Sequence, residues 1–156
     1  MPKDITGLKS LLKDPSLLET RAYVAGEWIN ADDGKTFDVV NPARGDVIAQ
    51  VADLSRAEVA RAIAAAAVAM KDWAARPAKE RAQIMRRWFD LMMANQDDLG
   101  TILTAEMGKP LAEAKGEIAY GASFIEWFGE EAKRVYGETI PGHMADKRLT
   151  MIHQPI

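Results

Sequence analysis

Residues 106–118 read EMGKPLAEAKGEI: a glycine, a lysine and a proline set between two long helical patterns. Gly108-Lys109 invites a phosphate-cradle reading, but a P-loop needs GxxxxGK followed by Ser or Thr, so that backbone N–H groups and a hydroxyl converge on phosphate and metal. Pro110 stands where that hydroxyl residue belongs and removes an N–H, and no glycine stands five residues before Gly108. The stretch therefore reads as a helix C-cap followed by a proline start for the next helix.

Working outward from this break, the C-terminal side carries a long helix over about 111–135 with two stripes. Leu111, Ala114, Ile118, Ala122, Ile125, Ala132 and Val135 make one, and Glu113, Glu117, Tyr120, Phe124 and Trp127 the other. A helix apolar on two sides needs partners on both. On the N-terminal side lies a helical piece, DDLGTILTAEM, whose Asp97-Asp98 suits a helix start because carboxylates favour the N-terminal dipole. Before it, Pro77 opens a helix striped by Ile84, Trp88, Leu91 and Met92 and widened by Met85 and Phe89. Earlier still, Ser55-Arg56-Ala57-Glu58 is a capping box, followed by an apolar face of Val59, Ile63, Ala66, Met70 and Trp73.

The first third reads as strands. AYVAGEWIN turns at Gly26-Glu27, which suits a type II′ hairpin, and Asp33-Gly34 is a second turn signal. FDVVN and VIAQVA are strand-like around the turn PARGD. Leu8, Leu11 and Leu12 suit one face of a short helix that stops before Pro15. After the long helix the chain returns to loop and strand, with Leu149, Met151 and His153 alternating against Arg148, Thr150 and Ile152, and it stops in mid-pattern.

Composition narrows the function classes. Of 156 residues, 48% are hydrophobic and 28% charged, which describes one ordinary globular domain. A net charge of −3 without a basic, aromatic-studded stripe argues against nucleic acid. The N-terminus has no continuous apolar run, so neither a signal peptide nor a membrane span is expected there. No cysteine is present, which removes disulfides and thiolate chemistry from this chain and fits a reducing cytoplasm. His143 and His153 lack metal-site spacing, Ser123 is not in GxSxG, and no GxGxxG occurs. Glu113 and Glu117 share a helix face, either as a solvated face balanced by Lys109 and Lys115 or as the acidic edge of a pocket continued by Tyr120 and Phe124. The residues alone thus describe an α/β scaffold with surplus apolar faces and no reactive centre, as expected of part of a longer protein.

The pieces YVAGEW, FDVVNPARGDVIAQV, ERAQIMRRWFDLMMANQDDL, TAEMGKPLAEAKGEI and RLTMIHQPI, in this order and spacing over 22–156, resemble the N-terminal part of the aldehyde dehydrogenase superfamily. Within it, the run from Gly108 to His143 together with DKRL is similar to the bacterial succinate-semialdehyde branch, which the glutarate-semialdehyde enzymes closely resemble. The resemblance implies an N-terminal extension (1–20), the N-terminal part of a Rossmann-like cofactor domain built of short β-hairpins and about four helices (21–138), and the start of an oligomerisation ribbon (139–156). It implies a cytoplasmic homo-oligomer associating through the terminal strand, which is taken as unpaired. The implied reaction oxidises succinate semialdehyde to succinate with NADP or NAD, through a cysteine thiohemiacetal and thioester. The groups for that chemistry are expected beyond Ile156, so no catalytic or cofactor-binding residue is assigned here and the chain alone is expected to be inactive. Two roles carry over by resemblance: a structural Na+ or K+ held by the carbonyls of Val39 and Val40 and the side chain of Glu106, and a substrate entrance walled by Glu117, Tyr120 and Phe124. The competing expectation is a non-catalytic module that oligomerises through its helix stripes and terminal strand.

Overall fold

The computed structural model describes residues 5–154. Residues 1–4 of the expected N-terminal extension, and Pro155 and Ile156 of the terminal strand pattern, lie outside the described residues. The chain runs α1 (Ile5–Lys9), a 3-10 turn (Pro15–Leu17), β1 (Ala22–Val24), β2 (Glu27–Ile29), β3 (Thr36–Val40), β4 (Val47–Ala52), α2 (Arg56–Ala75), α3 (Ala78–Ala94), α4 (Gln96–Met107), α5 (Leu111–Glu131), β5 (Glu138–Pro141) and β6 (Arg148–Met151). Short hairpins followed by four long helices are what the sequence leads one to expect.

Each strand among the described residues pairs with its sequence neighbour, antiparallel, as β1–β2, β3–β4 and β5–β6. The first hairpin differs from the expected turn. Its two-residue loop is Ala25-Gly26, both at positive φ (54° and 91°), which is the type I′ pattern and not II′ at Gly26-Glu27. In the second hairpin, Val39 faces Ala49 while Val40 faces Val47, so β4 carries the extra residue of a bulge at Ile48. The bulge breaks the period of two and lets consecutive Ile48 and Ala49 both point inward, at 2% and 8% exposure. The third hairpin corrects the expectation of an unpaired terminal strand. β6 is paired along its length with β5, Ile140 facing Leu149, and the strand ends at Met151, before His153.

The core of the hairpin end is Leu8, Leu12, Leu18, Ile48 and Ala105, with Val39 and Ile102 packed against it. α1 is shorter than its leucine pattern: beyond Lys9 the chain turns through Leu11 N–H to Leu8 O and Leu12 N–H to Lys9 O, which sends Leu12 inward and leaves Leu11 exposed. This N-terminal strap is latched to α4 by Asp98. Its buried carboxylate accepts the backbone N–H groups of Lys13 (3.0 Å) and Asp14 (2.8 Å). Asp97 adds ion pairs to Lys13 (3.0 Å) and Lys115 (2.8 Å), and these lysines hold its carboxyl down at about 2.

α2 begins at the expected capping box: Ser55 Oγ accepts Glu58 N–H, and Glu58 accepts Ser55 N–H (2.6 Å). Glu58 is buried and also accepts the Asp32 N–H (2.6 Å), and these bonds hold its carboxyl below the usual range. Past this anchor the helix is nearly bare, with Val59, Ile63, Met70 and Trp73 all exposed. In α3 the inward face is Ala82 with half-buried Met85, Phe89 and Met92, whereas Ile84, Trp88 and Leu91 of the expected stripe lie outside. α5 packs against α3 and α4 through Ala114, Ala122 and Gly129. Its second stripe is exposed, and the helix ends at Glu131 rather than near 135, because Lys133 and Arg134 N–H groups bond back to Glu130 and Glu131 carbonyls in a tightened turn.

At the latch, Asp98→Ala is expected to cost about 2 kcal/mol or more, since it leaves two N–H groups without acceptors in a part-buried site. Asp98→Asn, which keeps one acceptor oxygen, is expected to lose less. Urea unfolding of the two variants checks the order.

Candidate functional site

The described residues place the candidate site around the break between α4 and α5. Gly108 ends α4 in the left-handed conformation (φ 83°), and its N–H donates to Thr104 O at 2.9 Å. Pro110 then stands at the N-terminus of α5, its carbonyl accepting Ala114 N–H at 3.0 Å. The expected cap and restart are present. Glycine is required twice over, because a Cβ at Gly108 would sit 2.8 Å from Pro42 Cγ. This contact lays the break beside the end of β3.

Of the three expected cation ligands, Val39 and Val40 end β3 and Glu106 stands in the last turn of α4. Val39 packs on the core cluster that contains Ala105, and Pro42 lies where a Cβ at Gly108 would meet it, so the end of β3 runs beside the end of α4. Burial pushes the Glu106 carboxyl up, and it makes no ion pair among the described residues. The β4 bulge also disturbs the ladder opposite Val39 and Val40. A carboxylate oxygen and backbone carbonyl oxygens are ligands of the kind a hard monovalent cation takes. No group of three or more His, Cys, Asp or Glu side chains suited to a metal occurs among the described residues.

The expected entrance residues follow along α5. Glu117 is ion-paired with Lys109, whose side chain is 17% exposed against 49% for Glu117. Lys115, by contrast, is taken by Asp97, so it does not balance Glu113 and Glu117 as the solvated-face reading has it. Tyr120 and Phe124 meet edge to face, centroids 4.9 Å apart at 83°. Beyond them an open groove of about 710 Å³ runs past Phe124, Trp127 and Phe128, with Glu126 and Glu130 at its margin. Tyr120 and Phe124 are exposed, so the structure brings the three residues onto one face without enclosing them. His143 and His153 are both exposed. Of the two lysines expected to balance this face, Lys109 does so by pairing with Glu117, whereas the Lys115–Asp97 pair was not foreseen.

The sequence profile described as "Aldehyde dehydrogenase family" matches residues 28–156. Glutarate-semialdehyde dehydrogenase of Pseudomonas aeruginosa is 61% identical over 145 residues, covering 93% of this chain and 30% of the relative. Succinate-semialdehyde dehydrogenase [NADP(+)] of Escherichia coli is 57% identical over the same share of each chain. A crystal structure of an aldehyde dehydrogenase from Brucella melitensis superposes with a TM-score of 0.90 at 60% identity, covering 92% of this chain and 30% of that one. The chain thus spans about 30% of the length of the relatives it matches. No helix among the described residues is long and apolar enough to cross a membrane.

Because Gly108 is constrained by both φ and space, Gly108→Ala is expected to destabilise by about 2–3 kcal/mol. Asparagine tolerates the left-handed region, so Gly108→Asn would recover most of the loss if φ alone mattered. The Pro42 contact makes it equally destabilising, and thermal unfolding of both variants tests this.

Proposed function

The chain belongs to the aldehyde dehydrogenase family, and from that premise we propose that it is the N-terminal part of a cytoplasmic dehydrogenase that oxidises an ω-carboxylated aldehyde. The substrate is succinate semialdehyde or its one-carbon-longer homologue, glutarate semialdehyde. The observation that carries this reading is identity above 55%, across nearly the whole chain, to enzymes named for these two aldehydes. The four-point margin toward the glutarate enzyme favours the longer substrate, and the specific run Gly108–His143 favours the shorter.

The nicotinamide cofactor, NADP or NAD, would accept the hydride. A dinucleotide binds outside the carboxyl ends of parallel strands. The described residues contain only antiparallel hairpins, so no residue of this chain is assigned a cofactor contact. The thiolate chemistry of the family likewise has no cysteine here. In this reading the chain's own part is positional. Helices α3, α4 and α5 form a scaffold, Glu117, Tyr120 and Phe124 wall the entrance, and the β5–β6 hairpin joins copies in a homo-oligomer. Glu106, with the carbonyls of Val39 and Val40, holds Na+ or K+.

Two measurements test this. For the longest reading frame carrying these residues, kcat/KM for succinate or glutarate semialdehyde is expected to exceed that for a neutral aldehyde of similar length by at least about ten-fold, or about 1.4 kcal/mol. A preference for the neutral aldehyde sinks the assignment. Residues 1–156 alone are expected to show no turnover.

The cation is tested by thermal unfolding. Burial raises the Glu106 carboxyl above its usual value, so this group favours the fold most at pH below about 4.5 and that advantage is lost as pH rises through the raised value. With choline as the only cation at pH 7, Glu106→Gln is therefore expected to be at least as stable as wild type. Potassium or sodium at ten times its Kd is expected to add about 1.4 kcal/mol to wild type and nothing to the variant. An equal gain in both overturns the site.

A further inference from the structure

Three carboxylates border the α5 wall from residue 117 to residue 130 and each is matched to a cation, whereas Glu113, one turn earlier on the same stripe, makes no ion pair among the described residues. Glu126 pairs with Arg86 (3.0 Å) and Glu130 with Lys133 (3.3 Å), and Glu117 pairs with Lys109. The Lys133 pair is local to one helix turn. The Lys109 pair is not: it reaches back across the Gly108–Pro110 break and places the less exposed ammonium against a half-exposed acid. Glu117 lies one turn before the Tyr120–Phe124 aromatic pair, on the same face of the helix.

Resting on the reading of this face as an entrance for an ω-carboxylated aldehyde, we propose that Lys109 is a positioning residue for substrate charge. Its ammonium cancels the Glu117 carboxylate beside the Tyr120–Phe124 pair, so that an anionic aldehyde approaches past one uncompensated acid, Glu113, instead of two. A carboxylated aldehyde carries a full negative charge at neutral pH, and a neutral aldehyde carries none. Leaving Glu117 uncompensated would repel the first and be indifferent to the second. At a separation of about 8 Å in a wet entrance, one uncompensated charge lowers local anion concentration about two- to five-fold. The competing role is purely structural: the pair would fasten the break to α5, and its loss would weaken the protein toward every aldehyde alike.

The test uses the full-length enzyme bearing K109M, K109R and K109M/E117Q, assayed with succinate semialdehyde, glutarate semialdehyde and a neutral aldehyde. K109M is expected to raise KM for the two anionic aldehydes about two- to five-fold at low ionic strength, with kcat and the neutral aldehyde unchanged. The rise is expected to shrink at about 0.5 M salt, where charges beyond a few ångströms are screened. K109R, which keeps the charge, and K109M/E117Q, which removes the repelling acid, are both expected to restore KM. An unchanged KM in K109M, an equal rise for the neutral aldehyde, or no recovery in K109M/E117Q overturns the proposal. A wild-type enzyme without preference for anionic aldehydes overturns the proposed function itself, and that result is read before any variant is made.

Discussion

Along one face of α5 the residues are small and buried: Ala114 and Ala122 are fully covered and Gly129 nearly so. Small residues let neighbouring helices ride close to the α5 backbone. At Gly100 of α4, a Cβ would lie 2.8 Å from Lys115 Cγ and 3.3 Å from its backbone nitrogen. At Gly129, it would lie 3.2 Å from Met85 Cβ of α3. These approaches hold α3 and α4 on either side of α5, and the Gln96 side chain adds a bond to Lys115 O at 2.8 Å. The hairpin end is then fixed indirectly, because α4 carries Ala105 into its core and Asp98 onto the strap.

Much of this was legible in the sequence where local chemistry decides the outcome. The Ser55–Glu58 capping box, the Gly108 cap and the strands either side of PARGD depend on neighbours a few residues away, and each forms where its residues place it. What periodicity did not settle was which apolar face finds cover. Val59, Ile63, Met70 and Trp73 do share a face of α2, yet they are exposed. Periodicity reports that a face is apolar and is silent on what covers it. In α3 two apolar faces compete, and the one containing Ala82 wins because it admits the close approach at Gly129. The I′ turn was hidden because its first residue is Ala25, a residue that seldom signals positive φ.

At the candidate site the legible part was chemical type and the hidden part was pairing. Glu106, Glu117, Tyr120 and Phe124 stand out in the sequence as an acid beside a helix break and as a stripe on one helix. By spacing Lys115 is equally suited to balance Glu113 and Glu117, but it turns toward Asp97, which is 18 residues away in sequence. Spacing along one helix cannot register a competitor on another. The exposed surface carries a related message. The accessible area is 11086 Å², whereas a compact 17.2 kDa protein exposes about 7,800 Å². The difference is of the size that obligate interfaces cover, and the bare faces of α2, α3 and α5 and the exposed β5–β6 hairpin contribute to it.

The Asp98 latch joins groups 84 and 85 residues apart in the chain. On a ribosome, the strap emerges first and its receptor much later. At about 5–20 residues per second, the leucines of the strap wait roughly 4 to 17 seconds before Asp98 is even synthesised. During that interval Leu8, Leu12 and Leu18 have no α4 to bury against, and the nascent chain presents them to whatever chaperones stand at the exit tunnel. The hairpin end thus closes only after α4 has been made, 84 and 85 residues behind the strap groups it receives.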